Sequence, residues 1–175
     1  MREIYYSVAD TSDLEVYRAS SVLAAGQGYC VGKASLLAAS CRAAGIPARV
    51  AFADVTNHLT SPRLRRAMGS DLFAWHGYVE LMVDGRWLKA SPTFNSSLCA
   101  KIGVATLEFD GTSDALLQAF DREGRQFMRY IVQRGAFPDV PARFLAREMA
   151  RRYPGLQREA AGAPVRLESE IDASA

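Results

Sequence analysis

Gly26-Gln27-Gly28-Tyr29-Cys30-Val31-Gly32-Lys33-Ala34 runs directly into Ser35-Leu36-Leu37-Ala38-Ala39-Ser40-Cys41-Arg42-Ala43-Ala44-Gly45-Ile46-Pro47. Two glycines give a flexible approach, and after Cys30 comes a run of good helix formers stopped by Gly45-Ile46-Pro47. Leu36, Leu37, Ser40, Cys41 and Ala44 recur at helical spacing, which predicts a helix buried along that stripe. Cys30 then lies at or beside the helix N-terminus, where unpaired backbone N–H groups and the positive end of the dipole favour a thiolate. The alternative is a small buried hydrophobe, the usual fate of a free cysteine.

The strongest local signal lies downstream. Ala74-Trp75-His76-Gly77-Tyr78-Val79-Glu80-Leu81-Met82-Val83, then Asp84-Gly85, then Arg86-Trp87-Leu88-Lys89-Ala90-Ser91 predicts a hairpin with a two-residue turn. In that register Val83 faces Arg86 and Glu80 faces Lys89, and His76 falls opposite Thr93 with Ser91 and Asn95 as diagonal neighbours. Val79, Leu81, Val83, Leu88 and Ala90 share the core face. His76 and His58 are the two histidines of the chain, and a nucleophilic cysteine needs a base. His58 reads as a solvated loop residue. His76, flanked by hydroxyl and amide groups, is the better partner for Cys30, the competing reading being a satisfied core histidine.

Working outward, Met1–Val8 reads as a strand or loop, and Ser12 with Glu15 as a capping box opening a helix from Asp13 to Ala24. Ala48–Val55 reads as a strand, Pro62–Gly69 as one or two helical turns, and Asn95–Ile102 as a short helix. Ala105–Asp110 and a run within Gly124–Arg134 read as strands. Pro141–Tyr153 reads as an amphipathic helix with Phe144, Leu145 and Met149 inward. Residues 1–156 make one domain, and from Gln157 the Ala, Glu, Gly and Ser content predicts a disordered tail through Ala175.

The whole chain has 175 residues, with 21 basic and 19 acidic side chains, so neither nucleic acid nor an anionic membrane is an expected partner. Its 3 cysteines lack a Cys-x-x-Cys pairing, which argues against a disulfide framework and a zinc site and fits a reducing, cytoplasmic setting. No metal and no cofactor is expected. Oligomeric state is not encoded in any visible pattern.

Taken together, Gly-Tyr-Cys opening a helix, Ala44-Gly45-Ile46-Pro47-Ala48-Arg49 closing it, His76-Gly77-Tyr78-Val79-Glu80-Leu81, and Asp84-Gly85-Arg86-Trp87-Leu88-Lys89-Ala90-Ser91-Pro92-Thr93 resemble the core of the transglutaminase-like superfamily, including its bacterial cysteine-protease-like members. The resemblance implies an α+β, papain-like fold, with helices on an antiparallel sheet and the cysteine at a helix N-terminus. It implies Cys30 as nucleophile and His76 as base, acting on amide bonds of a peptide or protein substrate. Where the family usually reads Asp-Pro-Thr, this chain reads Ser91-Pro92-Thr93, so the expected carboxylate is missing; Ser91, Thr93 or Asn95 is left to orient the imidazole. Backbone N–H groups near Cys30 are expected in the oxyanion hole. Gln27, Tyr29, Trp75 and Tyr78 are candidates for that hole or for a substrate groove. Family chains usually carry further helices ahead of this core, so a compact or N-terminally shortened member is implied. Three functions follow as alternatives: hydrolysis by a Cys30 thiolate, a catalytically impaired binding or scaffold module, and acyl transfer to amines, by cross-linking or by arylamine acetylation.

Overall fold

The computed structural model describes residues 1–8, 10–58, 62–156 and 165–172. Strand β1 (Tyr5–Val8) leads through a 3-10 turn at Leu14–Tyr17 to helix α1 (Ala19–Ala25), strand β2 (Gln27–Gly28) and helix α2 (Cys30–Ala43). Strand β3 (Ala48–Asn57), helix α3 (Pro62–Met68), strands β4 (Leu72–Val83) and β5 (Arg86–Ala90) and helix α4 (Ser96–Lys101) follow. Beyond a long connection come β6 (Met128–Phe137), α5 (Ala142–Arg152), β7 (Val165–Arg166) and α6 (Leu167–Asp172).

The fold is mixed α+β, with helices packed on a four-stranded antiparallel sheet ordered β5-β4-β3-β6. The β4–β5 hairpin has the register read from its turn, Val83 against Arg86 and Glu80 against Lys89. Asp84 and Gly85 both take positive φ, 49° and 77°, as a type I′ turn requires. Bulges interrupt β3–β4 between Ala53 and Val55, and β3–β6 at two points around Asp54, which curls the sheet there.

Helix α2 lies against one face, where Val31, Ala34 and Ala38 meet Val50, Phe52, Val79 and Leu81 in a single buried cluster. The other face is covered as well, by Val104, Leu117 and Phe127 packed on Ala51, Val55 and Tyr78. The first half of α2 is buried on all sides, from Cys30 through Leu36, which is wider than the stripe expected from spacing. Even Lys33 is fully buried; its ammonium donates to the Ile4 carbonyl at 2.5 Å, and burial lowers its pKa to about 7. This contact and the β1–β2 pairing fasten β1 beside the start of α2.

Several expectations are corrected. The helix expected over Asp13–Ala24 is two pieces, because Arg18 takes an extended backbone conformation, and Asp13 rather than Ser12 caps the first by accepting from the Glu15 N–H at 3.0 Å. Residues 105–110 form no strand; the Asp110 carboxylate instead accepts the Thr112 and Ser113 N–H groups in a turn. The last long strand starts at Met128 and continues past Arg134 to Phe137. On α5, Leu145 and Met149 face inward but Phe144 is exposed, its ring set edge-on to Trp75 at 5.0 Å. Of the stretch expected to be disordered, residues 157–164 and 173–175 lie outside the described residues, while β7 pairs with β1 and α6 follows it.

Candidate active site

Cys30 is the first residue of α2, with Tyr29 in extended conformation as its N-cap. The backbone N–H groups of Gly77 and Val31 and the Tyr6 hydroxyl lie beside the sulfur and favour its charged form. Gly77 makes this possible. A Cβ there would sit 2.8 Å from Val31 Cα, so only glycine lets β4 approach the helix start so closely. Because His76 is the neighbour of Gly77, the same approach brings the imidazole to the cavity that Cys30 lines.

His76 is buried, and its Nε2 lies 3.2 Å from Ser91 Oγ. Ser91 Oγ is in turn 3.1 Å from Thr93 Oγ1 and hydrogen-bonded to the Tyr130 hydroxyl, whose ring stands edge-on to the imidazole at 6.0 Å. Occupation of Nε2 by Ser91 leaves Nδ1 as the nitrogen available for proton exchange with a thiol. The orienting group is therefore a cluster of hydroxyls centred on Ser91. Asn95 lies elsewhere: its Oδ1 accepts from the Tyr6 N–H at 2.9 Å, and its Nδ2 donates to Ser97 and Glu168. It anchors β1 and does not touch the imidazole.

The backbone ahead of His76 is held in an unusual conformation. Trp75 has φ of 60° within the β4 bulge, and its N–H donates to Asp54 Oδ1 at 3.1 Å. Arg134 donates to both oxygens of the buried Asp54 carboxylate, each at 2.6 Å, and its guanidinium lies 4.5 Å from the centre of the Trp75 ring. Burial alone would raise the Asp54 pKa, but the bonds from Arg134 and Trp75 hold it below the usual carboxylate range. This bidentate pair clamps the bulge that turns His76 toward the cavity. Neither Asp54, Arg134 nor Tyr130 was singled out by the sequence reading. The only trace in the sequence is a carboxylate inside the apolar run Ala51–Val55, where a strand facing a core has no ordinary use for one.

The cavity beside the sulfur has a volume of about 60 Å³ and is lined by Trp75 and Tyr29 but not by Gln27 or Tyr78. Gln27 points elsewhere, accepting from Arg166 Nε at 3.2 Å, and the Tyr78 hydroxyl donates to Gln133 Oε1 at 2.8 Å on the opposite face of the sheet. His58 is exposed, 3.3 Å from Thr56 Oγ1. Cys41 is half-buried and Cys99 buried, both with free thiols. Among the described residues, no cluster of three or more His, Cys, Asp or Glu could hold a metal ion, and no helix is long and apolar enough to cross a membrane.

Burial dominates the electrostatics. It pushes the Cys30 thiol up to about 11 against the pull of the N–H groups and the Tyr6 hydroxyl, and pushes the His76 imidazole down to about 4. At neutral pH the closed site therefore holds thiol and neutral imidazole, not the thiolate expected from the helix terminus alone.

A family model for the transglutaminase-like superfamily core matches residues 1–92 of the 175. The chain belongs to the transglutaminase-like superfamily. No curated protein and no solved structure matches it. The superfamily consists mostly of cysteine-dependent amidases and acyltransferases. In this transglutaminase-like protein the Ser91 hydroxyl lies at hydrogen-bonding distance from the His76 imidazole.

Proposed function

We propose that this transglutaminase-like protein is a cysteine amidase, in which Cys30 and His76 cleave an amide bond of a peptide or protein through a thioester intermediate. The observation that carries this reading is the shared cavity of Cys30 and His76, with the Gly77 and Val31 N–H groups beside the sulfur and Ser91 on the imidazole Nε2. Sulfur attacks the carbonyl carbon and forms an S–C bond while its proton passes to the imidazole. The carbonyl oxygen takes the electron pair and is held by N–H donors at the start of α2. The intermediate collapses, the C–N bond breaks, and His76 returns the proton to the departing amine. Water then adds to the thioester with His76 as base, releasing the carboxylic acid and regenerating the thiol. A primary amine in place of water gives acyl transfer by the same steps.

A neutral pair is compatible with this sequence because the proton needs to leave sulfur only as the S–C bond forms. The test is intact-mass detection of an acyl adduct on Cys30 after treatment with a simple activated ester such as 4-nitrophenyl acetate. An adduct that is lost in Cys30→Ser and slowed in His76→Ala supports the reading; a chain that stays unacylated sinks it. A second reading, a binding module without turnover, is favoured by one observation: an uncharged hydroxyl stands where a carboxylate would stabilise the imidazolium. Amine partition, measured by adding a primary amine to the acyl-enzyme, separates hydrolysis from transfer.

A further inference from the structure

We infer that the cavity beside Cys30 is the binding site for a short, uncharged, aliphatic acyl group, so that the substrate is an amide or thioester whose acyl portion is apolar. This inference rests on Cys30 being the acylated residue. Leu64 and Met68 of α3, Phe73 and Trp75 of β4, and Met149 of α5 close around the sulfur, with Leu156 beyond them. Among the described residues, no Lys, Arg, Asp or Glu lines this space. Two polar groups at its edge are committed: the Tyr153 hydroxyl accepts from the Ala74 N–H and donates to the Leu72 carbonyl, both at 2.8 Å, and the Tyr6 hydroxyl lies against the thiol.

Two polar atoms of the lining residues are different. The Trp75 indole N–H and the Tyr29 hydroxyl are buried and have no hydrogen-bond partner among the described residues. A buried donor without an acceptor is costly, and a ligand carbonyl oxygen is the chemistry that would relieve it. The wall thus supplies apolar surface for a tail, with unpartnered donors at Trp75 and Tyr29 beside the N–H groups of α2 that hold the carbonyl oxygen. A charged tail would lose its water shell and find no counter-charge. The volume, about 60 Å³, suits a few carbon atoms and not a long chain. Two methionines, Met68 and Met149, let the wall adapt to branched as well as linear tails.

The experiment uses N-acetylcysteamine thioesters of acetate, butyrate, isovalerate and succinate with the full chain, reading the rate of acyl-Cys30 formation by intact mass. In this exchange the Cys30 sulfur forms the new S–C bond, the N-acetylcysteamine S–C bond breaks, and the Cys30 proton ends on the released thiol. Butyryl and isovaleryl transfer should exceed acetyl at least tenfold, and succinyl, equal in chain length to butyryl, should be at least 100-fold slower. Met149→Lys, with its fold checked by circular dichroism, should narrow or invert the butyryl-to-succinyl ratio, because it places a cation in the wall. Succinyl transfer within threefold of butyryl, or acetyl as fast as butyryl, overturns the inference while leaving Cys30 as nucleophile. Failure of all four thioesters to acylate Cys30 removes the nucleophile reading itself and the inference with it.

Discussion

His76 Nε2 and Ser91 Oγ are 3.2 Å apart, and the Ser91 hydroxyl is shared with Thr93 and Tyr130. One proton and two lone pairs therefore serve three neighbours, so Ser91 can orient the imidazole but cannot neutralise its charge. Ser91→Asp is expected to raise the His76 pKa from about 4 toward the ordinary histidine range and to increase Cys30 acylation about tenfold. Ser91→Ala is expected to reduce it by a similar factor, since the ring loses its orienting contact. Histidine NMR titration alongside acylation rates checks both. An aspartate variant whose rate and His76 titration match the wild type would show that the far nitrogen does not govern the site.

Thiol reactivity should follow burial rather than the helix terminus. With its pKa pushed up to about 11, Cys30 is expected to react with iodoacetamide at pH 7 more slowly than a free cysteine, and to accelerate continuously as pH rises past 9. Peptide mapping over a pH series measures this. Fast modification of Cys30 below pH 7 would mean that a thiolate–imidazolium pair already exists at rest.

Protonation of His76 should also be visible in folding stability. The unfolded chain takes up the proton near 6.5 and the native one only near 4. Between these values the unfolded state binds more protons, so stability is lost as pH falls from 6.5 through 4, by on the order of 3 kcal/mol in total. The Tyr130 phenol stands edge-on to the ring and Cys30 lines the same cavity, both neutral throughout that window. Asp54 is held below the usual carboxylate range and begins to matter only at lower pH. Urea unfolding at pH 7 and pH 5 should show the loss in the wild type and much less of it in His76→Gln. Equal losses in both proteins would place the buried titration elsewhere.

The contrast between what the sequence disclosed and what it did not has a physical pattern. The Asp-Gly turn fixes the hairpin register from local backbone preference, so Ser91 is legible as a neighbour of His76 before any coordinates. Cys30 at the start of α2 is legible from glycine, helix-former and stop signals. Asn95 is misleading because Pro92 ends the ladder; beyond Ala90 the alternation of faces no longer applies, and the amide turns to β1 instead. Tyr130 and Arg134 come from a strand that pairs with β3 across a long connection, and its bulges depend on tertiary packing rather than on any short motif. The charge state of the thiol is open to the same contrast: a helix terminus is a local feature, whereas the burial that opposes a thiolate needs the whole fold.

Asp54 and Arg134 act on His76 through the Trp75 backbone. Asp54→Ala would leave a guanidinium and the Trp75 N–H unpaired, a loss of about 3–5 kcal/mol of stability. Asp54→Asn keeps an acceptor for the Trp75 N–H and should fold, yet lower acylation and shift the His76 ring resonances as the bulge relaxes. If Asp54→Asn folds and leaves both readouts unchanged, the pair is structural and does not position the imidazole.

Gly77 is where fold and chemistry meet most tightly. A methyl group there would lie 2.8 Å from Val31 Cα and 3.2 Å from Val31 N, and this neighbour is helix backbone that cannot rotate away. Gly77→Ala must therefore push β4 and the start of α2 apart, at a cost of about 1–3 kcal/mol. The same shift withdraws the Gly77 N–H from the sulfur and separates Cys30 from His76. Acylation should consequently fall by two orders of magnitude or more under conditions where circular dichroism still reports a folded chain. Gly45→Ala serves as the comparison, because it carries positive φ but meets nothing within 4 Å, so it should lose stability alone. Equal effects of the two substitutions on acylation would mean that the close approach at Gly77 serves packing and not the site.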